Sequence, residues 1–276
     1  MELSSSDDSV VTISNLTGVS TSQSLLLAIS GDAQGKFCAA ANGTAGVQGE
    51  AGLGDWIEAS SSVQLTLCSG ESLSANTDYV FAFDVTNPAV AQPPPMMQIR
   101  ASGGVAAIDA SDMTAVSFSV LGIARGSEPL LVVVPRYQGK QIAQSSPIAS
   151  TVNTITLTLS LNLELREPYT LTLSGTSGLN YVTGSMQSLV KTSVAPASLQ
   201  SIFADDKLAN GSAIFSILSG VSLPKAATVT LSFTIINPAS AQSAPAMTMS
   251  ISSDDFSVPA PLTLNPELLN LNPEQS

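Results

Sequence analysis

Residues 65–102 and residues 215–252 are nearly the same sequence. Leu65 to Ser102 reads LTLCSGESLSANTDYVFAFDVTNPAVAQPPPMMQIRAS, and Phe215 to Ser252 reads FSILSGVSLPKAATVTLSFTIINPASAQSAPAMTMSIS; no gap is needed, and about a third of the columns are identical. Ser69-Gly70 lies over Ser219-Gly220, Phe83 over Phe233, Asn87-Pro88 over Asn237-Pro238, and Gln92 over Gln242. The hydrophobic alternation stays in phase throughout. A duplicated stretch of this size predicts two tandem domains, residues 1–147 and 148–276, with the boundary near Ser145 to Ser150.

Composition selects the fold class. Hydrophobic residues make up 44% of the chain and charged residues only 11%. Serine and threonine fill the gap, at about a quarter of all positions. β-Branched and hydroxyl residues suit pleated, half-buried surfaces, and the i,i+4 charge pairs of exposed helices are missing. The expected fold is all-β, two tandem immunoglobulin-like β-sandwiches. Period-two runs mark strands at Val10–Ile13, Leu25–Ile29, Val63–Leu67, Tyr79–Val85, Met96–Ile99 and Val116–Val120, and again at Asn153–Leu159, Tyr169–Leu173, Ile214–Leu218, Val229–Ile235 and Met247–Ile251. Leu130–Val134 is continuously apolar and reads as a strand buried on both faces.

The two copies are out of phase. Leu171-Thr172-Leu173-Ser174 resembles Val11-Thr12-Ile13-Ser14, so Asn153–Leu159 has no counterpart ahead of Val10. Such a mismatch points to a segment of a longer array, or to copies finished by neighbouring chains. Open strand edges would then be the joints.

The runs VNTITLTLSLNLEL (Val152–Leu165), YTLTLSGTSG (Tyr169–Gly178), FTIINPASAQSAP (Phe233–Pro245) and PLLVVVPRYQGKQIAQSSP (Pro129–Pro147) resemble a Thr/Ser-rich β-sandwich repeat of very large proteins from microalgae and related protists. The resemblance covers most of both copies. It implies a surface or extracellular setting and brings no catalytic residues with it.

Nine basic against 21 acidic residues give a formal charge of −12, which repels nucleic acid and anionic membrane. No apolar run reaches the roughly 18 residues of a membrane span. The opening MELSSSDDSV has neither a basic nor an apolar region, so no signal peptide is read there. The chain has no histidine, which removes Ser-His-Asp and Cys-His catalysis and imidazole metal sites. Gly49 to Gly54 has the gap of a phosphate loop but continues Asp55-Trp56, and Lys191-Thr192-Ser193 is a commonplace in so serine-rich a chain. Asp205-Asp206 and Asp254-Asp255 are weak calcium candidates on turns, where solvated aspartates are the simpler reading. Calcium is therefore the one cofactor left open.

Cys38 and Cys68 are either a disulfide tying the Gly-rich excursion Gly43–Gly52 to a core strand, or two buried thiols. Trp56 is either a sugar-stacking platform or a core residue. Asn15, Asn42 and Asn210 begin N-x-[ST] sequons at the frequency that composition alone produces. The leading expectation is a non-catalytic structural subunit of an extracellular filament, coat or appendage, with copies of itself or neighbouring repeats as partners. The alternative is a carbohydrate- or calcium-dependent adhesion module, with glycans as partners.

Overall fold

The computed structural model describes residues 2–21, 25–40, 48–105, 107–175, 180–182, 187–192, 195–198, 207–209, 212–243, 245–252 and 262–263. They form an all-β arrangement of antiparallel sheets in two compact units. Unit 1 comprises residues 1–118 and 125–134, and unit 2 comprises 119–124 and 135–276.

Unit 1 carries β1 (Leu3–Ser4), β2 (Val10–Ser14), β3 (Leu26–Ala28), β4 (Phe37–Ala40), β5 (Gln48–Ala51), β6 (Leu53–Ile57), β7 (Ser62–Leu67), β8 (Ser72–Leu73), β9 (Gln98–Ser102) and β10 (Ile108–Asp112). Its main sheet runs β10-β9-β2-β7-β4-β5, with β6 bridging β3 to β7. Val11, Ile13 and Leu65 project from this sheet into a core with Phe37, Trp56 and Leu67. The opposing layer is thin. It holds the extended segment Tyr79–Thr86, whose only β-pairing among the described residues is the isolated bridges Ser30↔Ala82 and Ser20↔Thr86.

Unit 2 carries β11 (Tyr137–Gln144), β12 (Val152–Leu161), β13 (Leu165–Arg166), β14 (Thr170–Ser174), β15 (Asn180–Tyr181), β16 (Gln187–Thr192), β17 (Ala195–Ser198), β18 (Lys207–Ala209), β19 (Ser212–Ser216), β20 (Ser222–Leu223), β21 (Thr228–Ile236), β22 (Thr248–Ser252) and β23 (Leu262–Thr263). Two sheets face each other. One runs β11-β12-β21-β16-β17, with β15 also on β21, and the other runs β18-β19-β14-β22-β23. The alternation of aliphatic with Thr or Ser in β12, β14 and β21 turns one face inward. Ile155, Leu157, Leu159, Leu171, Leu173 and Leu231 all lie in a single core, each fully buried aliphatic side chain contributing about 1.5–3 kcal/mol.

The same strand pairings recur in the two units. β1 pairs β8 as β13 pairs β20, and β2 sits between β7 and β9 as β14 sits between β19 and β22. The expected border at 147/148 falls inside the turn of the β11–β12 hairpin, where Gln144 is opposite Ile155. The units therefore divide near Pro135, because a hairpin cannot be split between two cores.

Three expected strands behave differently. Tyr79–Val85 is extended but joins no ladder, and Val116–Val120 is exposed apart from Val120, which bridges Ile123 across a tight turn. Leu130–Val134 is not a two-sided core strand: Leu130 takes a left-handed φ of 61°, and Val132 alone in the run is buried, bridged to Gln92.

Candidate functional site

In an extended chain, successive residues point their N–H and C=O groups to opposite edges. In Tyr79–Thr86 the even residues are used. Val80 O accepts from Ala33 N at 3.1 Å, Ala82 exchanges two 2.9 Å bonds with Ser30, and Thr86 exchanges bonds of 2.7 and 3.0 Å with Ser20. The odd residues Phe81, Phe83 and Val85 turn their backbone to the other edge, where no described residue bonds to them.

Unit 2 shows what belongs at that edge. The Ser20↔Thr86 bridge takes the place of Asn180↔Ile236, and Ser30↔Ala82 lies on the side that β16 occupies beside β21. On its other side β21 is paired along its length by β12, with Asn153 opposite Ile235, Ile155 opposite Phe233, Leu157 opposite Leu231 and Leu159 opposite Val229. No described residue fills the β12 position in unit 1. Its consequence is visible in burial. Phe233 is 4% exposed and Leu231 0%, whereas their counterparts Phe83 and Phe81 are half-buried, and Val80 is 64% exposed.

The edge is nevertheless well held from behind. Phe81 packs edge-to-face on Phe37, with ring centroids 5.2 Å apart. Lys36 Nζ lies 5.8 Å from the Tyr79 ring centroid and donates to Glu71 at 2.8 Å. That Glu71 bond raises the Lys36 ammonium above its ordinary value. Tyr79 Oη accepts from Ser74 N at 2.8 Å.

The repeated Asn-Pro has a clear task in unit 2. Asn237 Nδ2 donates to Ser146 O and Ile148 O, both at 2.9 Å, and Asn237 Oδ1 accepts from Asn153 Nδ2 at 2.9 Å. Asn153 is 1% exposed, and its Oδ1 accepts from Ser145 N and Ser146 N. Pro238 O accepts from Ser150 N at 3.1 Å. Together these bonds pin the turn that delivers β12 to β21. Asn87-Pro88 repeats the same pair in unit 1, and Asn87 is exposed with no hydrogen-bond partner among the described residues. Sequence reasoning had marked Asn87, Pro88, Asn237 and Pro238 as motif without seeing this role. Gln92 diverges from Gln242: it donates to Thr17 O and Leu130 O at 3.2 and 2.9 Å, while Gln242 is exposed.

Cys38 and Cys68 are joined by a disulfide, with Cα atoms 5.1 Å apart on β4 and just past β7. Trp56 is 4% exposed in the unit 1 core, which removes the sugar-stacking reading. Asn15 holds a left-handed φ of 64°, and the amide nitrogen a glycan would take donates to Met96 O at 3.0 Å. Its counterpart Gly175, at φ 85°, approaches Ala246 O so closely that a Cβ would lie 2.2 Å away. Asn42, Asn210, Asp205, Asp206, Asp254 and Asp255 lie outside the described residues. Among the described residues no group of three or more His, Cys, Asp or Glu is placed to hold a metal, and no helix is long and apolar enough to cross a membrane. Burial raises the Tyr137 phenol well above its ordinary value.

No family model and no curated protein matches the chain. Among solved structures it is similar to the serine-rich repeat protein Srr2 of Streptococcus agalactiae (9% identity, 91% of this chain, 78% of that one, TM-score 0.29). It is also similar to the collagen adhesin CNA of S. aureus (10% identity, 88% and 74%, TM-score 0.28). A third is the pilus protein RrgB of Streptococcus pneumoniae (12% identity, 83% of this chain but 41% of that one, TM-score 0.31). Likenesses this loose decide nothing about function, which rests on the chain's own geometry.

Proposed function

We propose that the chain is a non-catalytic structural module of an extracellular or cell-surface filament, coat or appendage, whose sandwich repeats join to one another through strand edges. The carrying observation is the pair of unequal sheets. The β11–β12 hairpin between the repeats completes the sheet of unit 2, and no described residue pairs the equivalent edge of unit 1, whose apolar face is half in water. Soluble proteins usually blunt such edges. The disulfide fits an oxidising compartment, and a surface rich in neutral hydroxyls can pack closely without desolvating many ions. The resemblance to the Thr/Ser-rich repeats of microalgal surface proteins agrees with this reading.

Sedimentation velocity and negative-stain electron microscopy of the purified chain, from low to high micromolar concentration, test it. Regular assemblies that grow with concentration are expected. One monodisperse single-chain species at every concentration would overturn it.

A further inference from the structure

The occupant of the open edge can be specified from unit 2. We propose that Tyr79–Val85 is an acceptor for a β-hairpin of the β11–β12 kind, carried by another copy of the repeat and seated antiparallel on the segment in the register β12 takes on β21. This rests on the reading of the chain as a joining module.

Two independent features point to that partner. The first is the edge itself: Phe81, Phe83 and Val85 present backbone groups that no described residue pairs, and Tyr79, Phe81 and Phe83 form the half-covered apolar row that Leu159, Leu157 and Ile155 cover in unit 2. The second is Asn87. Its counterpart Asn237 is engaged by the turn that precedes β12 and by the buried Asn153, so Asn87 is the anchor for a turn carrying an asparagine at that same point. A lone strand would satisfy the edge; only a hairpin with its turn would satisfy both.

The outer face adds specificity. In unit 2, Thr154 lies opposite Thr234 and Thr158 opposite Thr230, with the Thr158 and Thr230 hydroxyls 3.4 Å apart. The unit 1 counterparts of Thr234 and Thr230 are Asp84 and Val80, both exposed. The best occupant therefore carries a basic residue at the position of Thr154 and an apolar one at that of Thr158, since opposite charges and apolar pairs across strands are favourable.

The test uses the full chain and a synthetic peptide with the sequence of residues 136–164, which holds β11, the turn, Asn153 and β12. Amide hydrogen exchange is followed residue by residue by NMR. With saturating peptide, exchange at Phe81, Phe83 and Val85 should slow by about tenfold or more, while Leu231 and Phe233 stay as slow as before. Asn87→Ala in the chain should weaken peptide binding, and a Thr154→Lys peptide should bind a few-fold tighter, roughly the gain of one good cross-strand pair. The same peptide should disperse any assemblies the chain forms. Unchanged exchange at the three amides would overturn the proposal while leaving assembly through another surface intact. Protection of Phe81 and Phe83 in the concentrated chain without peptide that persists undiminished in Asn87→Ala would overturn it in favour of edge-to-edge pairing of two copies, which makes no use of Asn87. A Thr154→Lys peptide that binds more weakly would refute the register.

Discussion

Tyr79–Val85 and Val229–Ile235 descend from one sequence and have the same alternation, yet they are different physical objects. Val229–Ile235 is a central strand, gripped by β12 on one edge and β16 on the other, with its inward side chains removed from water. Tyr79–Val85 has bridges along one edge only and keeps its rings half wet. The difference lies outside both segments. A strand's burial is conferred by its neighbours, and the neighbour in question is a hairpin that belongs to the connection between repeats. The same holds for the shared Asn-Pro: Asn237 is the hub of a buried amide network, and Asn87 has the same chemistry with no described residue bonded to it.

The largest break in this comparison comes from the paired phenylalanines. Phe233→Ala should lower the stability of unit 2 by about 3–5 kcal/mol, and Phe83→Ala should cost unit 1 roughly half as much, because less area leaves contact. Urea unfolding read by hydrogen exchange in each unit measures both, and equal losses would erase the distinction drawn between the two edges. Next is the disulfide, which only unit 1 possesses. Cys38→Ala with Cys68→Ala should cost that unit about 2–4 kcal/mol and leave the calorimetric transition of unit 2 in place. Asn237→Ala should cost unit 2 about 1–3 kcal/mol by stranding the buried Asn153, whereas Asn87→Ala, exposed in the unpartnered chain, should change thermal melting by less than about 0.5 kcal/mol.

The smallest effect is a pH effect confined to unit 1. The Arg125 guanidinium bonds both carboxylate oxygens of Glu128 and holds that carboxyl below its ordinary value of 4.5. A carboxyl lowered by folding stabilises above its unfolded pKa, and that contribution is lost as pH falls through the folded one. Melting of unit 1 should therefore drop more steeply on acidification below about pH 4.5 in the native chain than in Glu128→Gln. Parallel curves would show the clasp to be energetically silent, as exposed pairs often are.

Much of this was legible in the residues. The repeat, the all-β class and the strands β2, β7, β12 and β21 follow from period-two patterning, and the lack of a counterpart to Asn153–Leu159 ahead of Val10 foreshadowed the open edge. Alternation reports which face of a segment is apolar, however, and says nothing about who pairs with its edges, so Tyr79–Val85 read as an ordinary strand. Leu130–Val134 misled for a related reason: five apolar residues look like a buried strand, but Leu130 takes a left-handed φ, packs on the core only in part, and leaves Val132 as the one buried residue of the run. Asn237 was visible as a repeated letter, and its partner Asn153 was not, because they are joined by topology rather than spacing.

The place of β12 between β11 and β21 has a consequence for synthesis. The strand leaves the ribosome with only β11 of its sheet ahead of it, and β21, which covers its other edge, follows about 70 residues later. At ordinary rates of translation that interval is on the order of ten seconds, during which a row of isoleucine and leucine waits with β11 on one edge and nothing yet made for the other. Nascent chains stalled short of Ile236 should remain open to protease at Val152–Leu161 and close once that residue has cleared the exit tunnel. The repeat in greatest danger of pairing with the wrong strand is thus always the one still being made, and the newest hairpin, rather than the finished sandwich, is where a chaperone would be needed.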